Sequence, residues 1–217
     1  DRINISLDTI DRERYAALTR RDRLDHVLQA IAAADAAGLH PIKINAVVMP
    51  GVNEEDIVPL ADYAVHHGAQ LRFIEQMPLG PREQWRREDM VTAEDILARL
   101  RTHFSMESAR EPRGSAPAAL WEVSAPDGTR GTLGIIASVT HPFCGDCDRT
   151  RLTTDGAIRN CLFGNSETPL RDLLRSGASD EDIMAAWAGE MWTKKPGHGI
   201  DDEGFLQPDR PMSAIGG

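Results

Sequence analysis

The chain has 217 residues, of which 41% are hydrophobic and 27% are charged, which is typical of a soluble globular protein with one large or two small domains. The formal net charge of −10 argues against nucleic acid as the main partner, because nucleic-acid binding needs a basic surface. No stretch approaches the roughly 18 apolar residues of a membrane span, and the first residues lack a signal sequence. We therefore expect no membrane association and a cytoplasmic location.

The first half of the chain alternates between strand and helix patterns. Apolar residues at every second position predict strands over residues 2–8, 41–49 and 70–76. Apolar stripes at helical spacing predict three helices: one from an N-cap at Asp22 to Gly38, one from Asn53 to Gly68 with a bend at Pro59, and one from Thr92 to about residue 103. Short loops between such elements predict parallel β/α units, as in an incomplete β/α barrel of the TIM type, with chemistry at the carboxyl ends of the strands.

The pattern changes near residue 105. Residues 107–119 are rich in Pro, Gly, Ser and Ala, and strands are predicted over residues 120–124 and 132–138. A hairpin is predicted around Asp155-Gly156, with strands over residues 150–154 and 157–162. Helices follow over residues 168–176 and 179–192. We therefore predict two domains, a partial β/α barrel over residues 1–104 and a C-terminal α+β region over residues 105–217.

All three cysteines lie within 18 residues, in the spacing Cys144-x2-Cys147-x13-Cys161. Such clustering in a chain with an odd number of cysteines indicates a metal site and not a disulfide framework. A zinc site completed by His141 and an iron–sulfur cluster with one iron free of cysteine both fit this spacing, whereas three unrelated core cysteines fit it poorly. Arg149 and Arg151 alternate on an extended segment beside the cysteines, so we expect both on one face, binding an anionic substrate.

The run from His141 to Gly156, His-Pro-Phe-Cys-Gly-Asp-Cys-Asp-Arg-Thr-Arg-Leu-Thr-Thr-Asp-Gly, resembles the C-terminal signature of the molybdenum cofactor biosynthesis protein A family. These proteins are radical S-adenosylmethionine GTP 3',8-cyclases. The resemblance extends along the chain to four further segments: Arg2-Ile-Asn-Ile-Ser-Leu-Asp8, Lys43-Ile-Asn-Ala-Val-Val-Met49, Arg72-Phe-Ile-Glu-Gln-Met77 and Ile215-Gly216-Gly217.

The resemblance implies a role for each matching residue. Cys144, Cys147 and Cys161 would hold a 4Fe-4S cluster whose fourth iron contacts the guanine of GTP. The GTP-binding residues would be Lys43, Arg72, Arg149, Thr150 and Arg151. The S-adenosylmethionine contacts would be Ser6 and Met77. The flexible tail, Gly216 and Gly217, would reach the reaction centre and is assigned a catalytic role. The nearby residues Lys194, Lys195 and His198 are interpreted as solvated surface.

One departure from the family is large. Its members carry a Cys-x3-Cys-x2-Cys motif near the start, which holds the 4Fe-4S cluster that reduces S-adenosylmethionine to a 5'-deoxyadenosyl radical. No cysteines remain here for that motif, and the chain opens on Asp1 inside a predicted strand. We therefore expect a C-terminal part of a longer protein that binds GTP but generates no radical alone.

The resemblance also implies partners: GTP as substrate, a cyclic pyranopterin synthase downstream, an electron donor and a second copy of the chain in a homodimer. Two other functions stay open from the residues alone. One is a zinc-stabilised, non-catalytic nucleotide-binding subunit, and the other is a radical S-adenosylmethionine enzyme that modifies a peptide.

Overall fold

The computed structural model describes residues 1–80, 85–203 and 205–215. The chain forms two compact units. The first comprises Asp1–Gln76 and Arg87–His141, and the second comprises Met77–Arg86 and Pro142–Gly217. The predicted boundary at residue 105 differs from this division, because the three strands that follow residue 104 extend the sheet of the first unit instead of starting a new domain.

The first unit is built on a six-stranded mixed sheet with the order β1-β2-β3-β6-β5-β4. Its strands are β1 (Ile3–Ser6), β2 (Ile42–Val48), β3 (Gln70–Glu75), β4 (Ser105–Ser108), β5 (Ala119–Ser124) and β6 (Arg130–Ile136). Neighbouring strands in the series β1, β2, β3 and β6 are parallel, whereas β4 and β5 are antiparallel to their neighbours. The predicted mixed α/β fold with parallel β/α units is thus confirmed for β1 to β3.

Four helices belong to this unit: α1 (Arg12–Thr19), α2 (Leu24–Ala36), α3 (Ile57–His66) and α4 (Ala93–Arg101). The even-numbered residues of β2 are all buried, and they join the apolar residues of α2, α3 and α4 in one core. The odd-numbered residues lie on the opposite face, because successive side chains of a strand alternate. The helices therefore cover one face of the sheet, and the other face carries polar side chains.

Two local predictions about these elements are wrong. The residue before α2 is Arg23, which makes no side-chain cap, so Asp22 is not the N-cap. Asn53 is the N-cap residue of a short 3-10 helix, Glu54–Asp56, that leads into α3, but it gives no side-chain cap because its side chain binds the backbone of Asp8, Val47 and Met49. Pro59 lies in the first turn of α3, where backbone N–H groups have no partner within the helix, so it removes no helical hydrogen bond. Helix α1 and strand β4 were not predicted at all.

The second unit contains a three-stranded antiparallel sheet and two helices. Its elements are β7 (Arg151–Leu152), β8 (Ala157–Arg159), β9 (Thr168–Pro169), α5 (Leu170–Arg175) and α6 (Asp180–Trp192). The predicted hairpin is confirmed, with Arg151 paired to Arg159. Gly156 has φ of +84° in its turn, and a Cβ there would meet Arg171 Cβ at 2.7 Å. Cys161 lies beyond β8 and not on it, as the hairpin strands are shorter than predicted.

Within the residues that the structure describes, we find no helix with both the length and the apolar character needed to cross a bilayer.

Candidate functional site

The polar face of the first sheet brings three predicted ligand-binding residues together. Ser6 on β1 is in register with Asn45 on β2, and Asn45 is in register with Arg72 on β3. Lys43 lies two residues before Asn45 and therefore on the same face. The guanidinium of Arg72 donates hydrogen bonds to the amide oxygens of Asn45 at 2.9 Å and Asn4 at 2.7 Å. These bonds hold Arg72 across the three strands.

Positive charge accumulates on this face. Burial lowers the pKa of Lys43, and the charges of Arg72 and Arg2 lower it further. Burial also lowers the pKa of Arg72. An anionic ligand would stabilise two neighbouring cations on a partly desolvated surface, because its negative charge offsets their mutual repulsion. Lys43 and Arg72 therefore form a pair of neighbouring cations, here called the cation pair.

The neighbouring strand leaves room for the stem of Arg72. Gly134 on β6 is in register with Arg72, and a Cβ added to it would lie 3.0 Å from Arg72 Cγ and 3.1 Å from Leu120 Cδ2. Such distances are shorter than ordinary van der Waals contacts. A glycine is therefore needed here for packing, and its position could not be deduced from a turn or spacing motif.

The second unit gathers the three cysteines. All three are free thiols, and all are half-buried. Burial raises the pKa of Cys144, the nearby thiols of Cys161 and Cys147 raise it further, and a backbone hydrogen bond from His198 lowers it. Each of the other two thiols therefore lies close enough to Cys144 to influence its pKa.

Arg149 is directed at this cysteine site. Its Nε and Nη2 donate hydrogen bonds to Cys147 Sγ at 3.3 and 3.4 Å, and its guanidinium carbon lies 4.5 Å from the centre of the Phe143 ring. Burial raises the pKa of Cys147, but the hydrogen bonds and charge of Arg149, together with the charge of Lys194, lower it overall. Arg149 therefore favours a thiolate at Cys147.

Arg151 occupies a different position from Arg149. It is half-buried on β7, where burial and the charge of Arg149 lower its pKa, whereas Cys161 raises it. The regular strand β7 begins only at Arg151, so Arg149 precedes it. The two guanidinium groups are nevertheless near enough to interact electrostatically. Thr150, between them, donates to the carbonyl oxygen of Arg159 at 3.5 Å.

Residues 194–198, here called the closing segment, also contact the cysteine site. Lys194 Nζ donates to the carbonyl oxygen of Arg149 at 2.7 Å and to that of Asn160 at 2.5 Å. His198 supplies the backbone hydrogen bond to Cys144, and its ring lies 5.0 Å from that of Phe163. The interpretation of Lys194 and His198 as solvated surface is therefore wrong, whereas Lys195 is exposed. Sequence reasoning missed these two residues because nothing in their local spacing links them to the cysteines.

Among residues 1–80, 85–203 and 205–215, no three His, Cys, Asp or Glu side chains are gathered closely enough to hold a metal ion. A single zinc ion would bring its sulfur ligands within about 4 Å of one another, since each Zn–S bond is about 2.3 Å. A cluster binds each thiolate through a different iron, so its cysteines lie further apart. Three free thiols with N–H donors directed at two of them suit such a cluster.

The remaining predicted site residues lie at the ends of segments. Met77 lies two residues after the end of β3, is half-buried and belongs to the second unit. Gly216 and Gly217 lie outside the described residues. The segment before them is held by Arg210, which donates to Asp155 at 3.2 Å, to Glu167 at 2.9 Å and to the carbonyl oxygen of Ala214 at 2.6 Å. Ile215 is fully buried.

Comparison with known proteins identifies the family. Residues 69–200 match the model of the family described as Molybdenum Cofactor Synthesis C. The chain belongs to this family. Residues 1–64 match the model of the Radical SAM superfamily. The part that matches the molybdenum cofactor synthesis family contains all three cysteines, both arginines beside them and the closing segment.

Relatives of this molybdenum cofactor synthesis protein are similar over its whole length. The chain is 76% identical to "GTP 3',8-cyclase" of Corynebacterium glutamicum, covering 100% of this chain and 58% of that protein. It is 58% identical to "GTP 3',8-cyclase 2" of Mycobacterium tuberculosis and 55% identical to "GTP 3',8-cyclase" of Mycolicibacterium smegmatis, covering 61% and 60% of those proteins. The chain thus spans about three fifths of the length of these curated relatives.

Proposed function

We propose that this chain is the substrate-binding part of a GTP 3',8-cyclase, a radical S-adenosylmethionine enzyme of molybdenum cofactor biosynthesis. The observation that carries the proposal is the 76% identity to a GTP 3',8-cyclase over the full length of the chain. The product would be 3',8-cyclo-7,8-dihydro-GTP, in which ribose C3' is joined to guanine C8. The cation pair, Lys43 and Arg72, and the cysteine site each support the assignment independently.

Cys144, Cys147 and Cys161 are proposed to hold a 4Fe-4S cluster. The donor set supports it, because three free thiols lie near one another and Arg149 and His198 donate hydrogen bonds to two of them. A cluster bound by three cysteines supplies one iron without a protein ligand, at which the guanine ring of GTP can coordinate. The residues of the chain would then orient the nucleotide around that point.

The remaining residues would bind the charged and polar parts of the substrate. Lys43 and Arg72 are proposed to bind the triphosphate, since they form a pair of cations on a partly desolvated face. Arg149, Thr150 and Arg151 are proposed to bind the nucleotide beside the cysteines. This positioning contributes to the rate by holding C3' and C8 in a reactive arrangement.

The finer assignments follow the same proposal. Ser6 and Met77 would contact S-adenosylmethionine, and the Gly216-Gly217 tail would enter the reaction centre. The cluster that reduces S-adenosylmethionine needs cysteines beyond the three on this chain, so we place it on the part of the complete protein that the chain does not include. The parallel strands would complete a β/α barrel there. The pathway partners are an electron donor and a cyclic pyranopterin synthase, in the cytoplasm, with a homodimer as the proposed assembly.

Anaerobic purification of the complete protein tests the proposal. We expect GTP and S-adenosylmethionine to yield the cyclic nucleotide, detected by mass spectrometry. Replacing Cys161 with Ser should remove only the iron of the three-cysteine site and abolish GTP-dependent changes in its EPR spectrum. The 217-residue chain alone should bind GTP without cleaving S-adenosylmethionine.

The contrary results are equally specific. A colourless protein with one zinc per chain would favour the nucleotide-binding subunit. A loaded enzyme that cleaves S-adenosylmethionine but leaves GTP intact would point to a different substrate, such as a peptide.

A further inference from the structure

We propose that Lys194 is a positioning residue that fixes the spacing of the cysteines by bridging the two segments that carry them. Its ammonium donates to the carbonyl oxygen of Arg149, two residues after Cys147, at 2.7 Å. It also donates to the carbonyl oxygen of Asn160, the residue immediately before Cys161, at 2.5 Å. One cation therefore joins the loop of the first two cysteines to the segment of the third.

The bridge is itself anchored to helix α6. Asn160 Nδ2 donates to the carbonyl oxygen of Glu190 at 3.0 Å and to Thr193 Oγ1 at 2.8 Å. Thr193 is the C-cap of α6, so Lys194 is the first residue beyond the helix. Asn160 is buried and Glu190 is buried beside it. The segment before Cys161 is thus held by side-chain bonds from Asn160 and by the ammonium of Lys194.

A lysine suits this position chemically. Its ammonium has three donors and no acceptor, so it can bind two carbonyl oxygens at once and still direct charge toward the sulfurs. The other end of the same closing segment contributes a second contact, the backbone hydrogen bond of His198 to Cys144. The closing segment therefore contacts Cys144 directly. It contacts the other two cysteines only through their neighbours in the chain, Arg149 near Cys147 and Asn160 before Cys161.

This inference rests on the proposed cluster, and its test separates the two. In the complete protein, the difference in iron content between wild type and Cys161→Ser defines the iron held by the three-cysteine site. We then measure how fast a chelator removes that iron from Lys194→Met, Lys194→Gln, Lys194→Arg and Lys195→Met. The exposed Lys195 is the matched control, because it is the adjacent residue and the substitution removes the same charge.

We expect chelator-driven loss of that iron to be roughly 10- to 100-fold faster in Lys194→Met and Lys194→Gln, as for other groups that orient metal ligands. Lys194→Arg should restore most of the resistance, because a guanidinium also donates to two carbonyl oxygens. The EPR signal of the three-cysteine site should shift in Lys194→Gln and stay unchanged in Lys195→Met. Iron outside that site should be retained in all four, which reports an intact fold.

The outcomes that overturn the inference are distinct. If Cys161→Ser loses no iron, the proposed cluster fails. If Cys161→Ser loses iron but Lys194→Gln retains it at the wild-type rate with an unchanged EPR signal, the cluster stands and the positioning role of Lys194 fails. Should Lys194→Met fail to fold, Lys194→Gln and Lys194→Arg still decide the question.

Discussion

Arg72 Nε donates a 2.9 Å hydrogen bond to the amide oxygen of Asn45, its in-register neighbour on the parallel strand β2. Asn4 on β1 accepts a second hydrogen bond from the same guanidinium at 2.7 Å. Two amides on successive strands therefore orient one cation on the polar face of the sheet. Lys43, on that same face, experiences its charge.

This arrangement predicts a graded loss of nucleotide binding. Arg72→Met should weaken GTP binding by about 1.5–3 kcal/mol, the contribution of a charged hydrogen bond. Asn45→Ala should weaken it by about 0.5–1.5 kcal/mol, since the guanidinium remains but loses an orienting partner. Isothermal titration with the complete protein measures both. Arg101→Met, at the exposed end of α4, is the control for the lost charge, and equal affinities in all four proteins would exclude Arg72 from the site.

Glu75 is a fully buried carboxylate that joins three segments of the first unit. It accepts hydrogen bonds from the backbone N–H of Ala93 at 2.8 Å, of Val139 at 2.8 Å and of Thr140 at 2.9 Å, and one from the Thr140 hydroxyl. Glu75→Gln places an amide NH2 against donors, so the free energy of unfolding should fall by about 1–3 kcal/mol.

Urea denaturation of Glu75→Gln measures this loss directly. The same substitution at the exposed Glu122 on β5 should change the free energy of unfolding by less than about 0.5 kcal/mol. Similar midpoints for the two variants would mean that the Glu75 hydrogen bonds do not stabilise the unit.

The pair His66 and Asp127 predicts a pH dependence of stability. A 2.9 Å hydrogen bond to Asp127 raises the pKa of His66, and the same contact is the first cause that lowers the pKa of Asp127 to about 2. The stabilisation of the folded state by this pair is fully present between about pH 4 and the ordinary His pKa of about 6.5. It is lost as the pH rises through the raised pKa of His66 in the folded state.

Urea denaturation at pH 6 and pH 8.5 checks this sign. Wild type should lose more stability between the two than His66→Gln does, whereas the exposed His26→Gln on α2 should behave like wild type. A His66→Gln protein with the full wild-type pH dependence would remove this pair as its source.

Gly134 and Gly189 both lack a positive φ, and replacing each of them with alanine should change the stability of the fold in opposite directions. Gly134→Ala places a Cβ 3.0 Å from Arg72 Cγ and 3.1 Å from Leu120 Cδ2, so it should cost about 1–3 kcal/mol through overpacking. Gly189 lies in the interior of α6 with no atom within 4 Å of an added Cβ, so Gly189→Ala should add about 0.5–1 kcal/mol. Thermal unfolding measures both, and a shift in the same direction for the two variants contradicts the packing argument.

The contacts of Arg210 lead us to expect that this side chain restrains the C-terminal segment. Its bonds to Asp155, Glu167 and Ala214 should disappear in Arg210→Met, and hydrogen exchange over residues 211–215 should accelerate. The hydroxyl of Thr153 and the guanidinium of Arg210 together lower the pKa of Asp155 to about 2, so the contact persists at neutral pH. Arg175→Met, an exposed substitution on α5, is the control. Unchanged exchange in Arg210→Met would show that burial of Ile215 alone holds the segment.

Much of the fold could be predicted from local patterns. Strict alternation placed β2 and its buried face, and the capping boxes at Thr92 and Ser179 placed the starts of α4 and α6, both confirmed. These signals work because they depend on neighbours within a few residues. Helix α1 was missed because its apolar residues form no clear stripe and it buries none of them.

The sequence by itself determined the family, the parallel β/α units and the clustering of Cys144, Cys147 and Cys161, because spacing and alternation are properties of adjacent residues. Only the tertiary structure decided which distant side chains serve those residues. Lys194 contacts the backbone of Arg149 from 45 positions away, and Arg72 contacts Asn4 from 68 positions away. Such pairs depend on strand register and on the end of a helix, and both are set by packing across the whole unit.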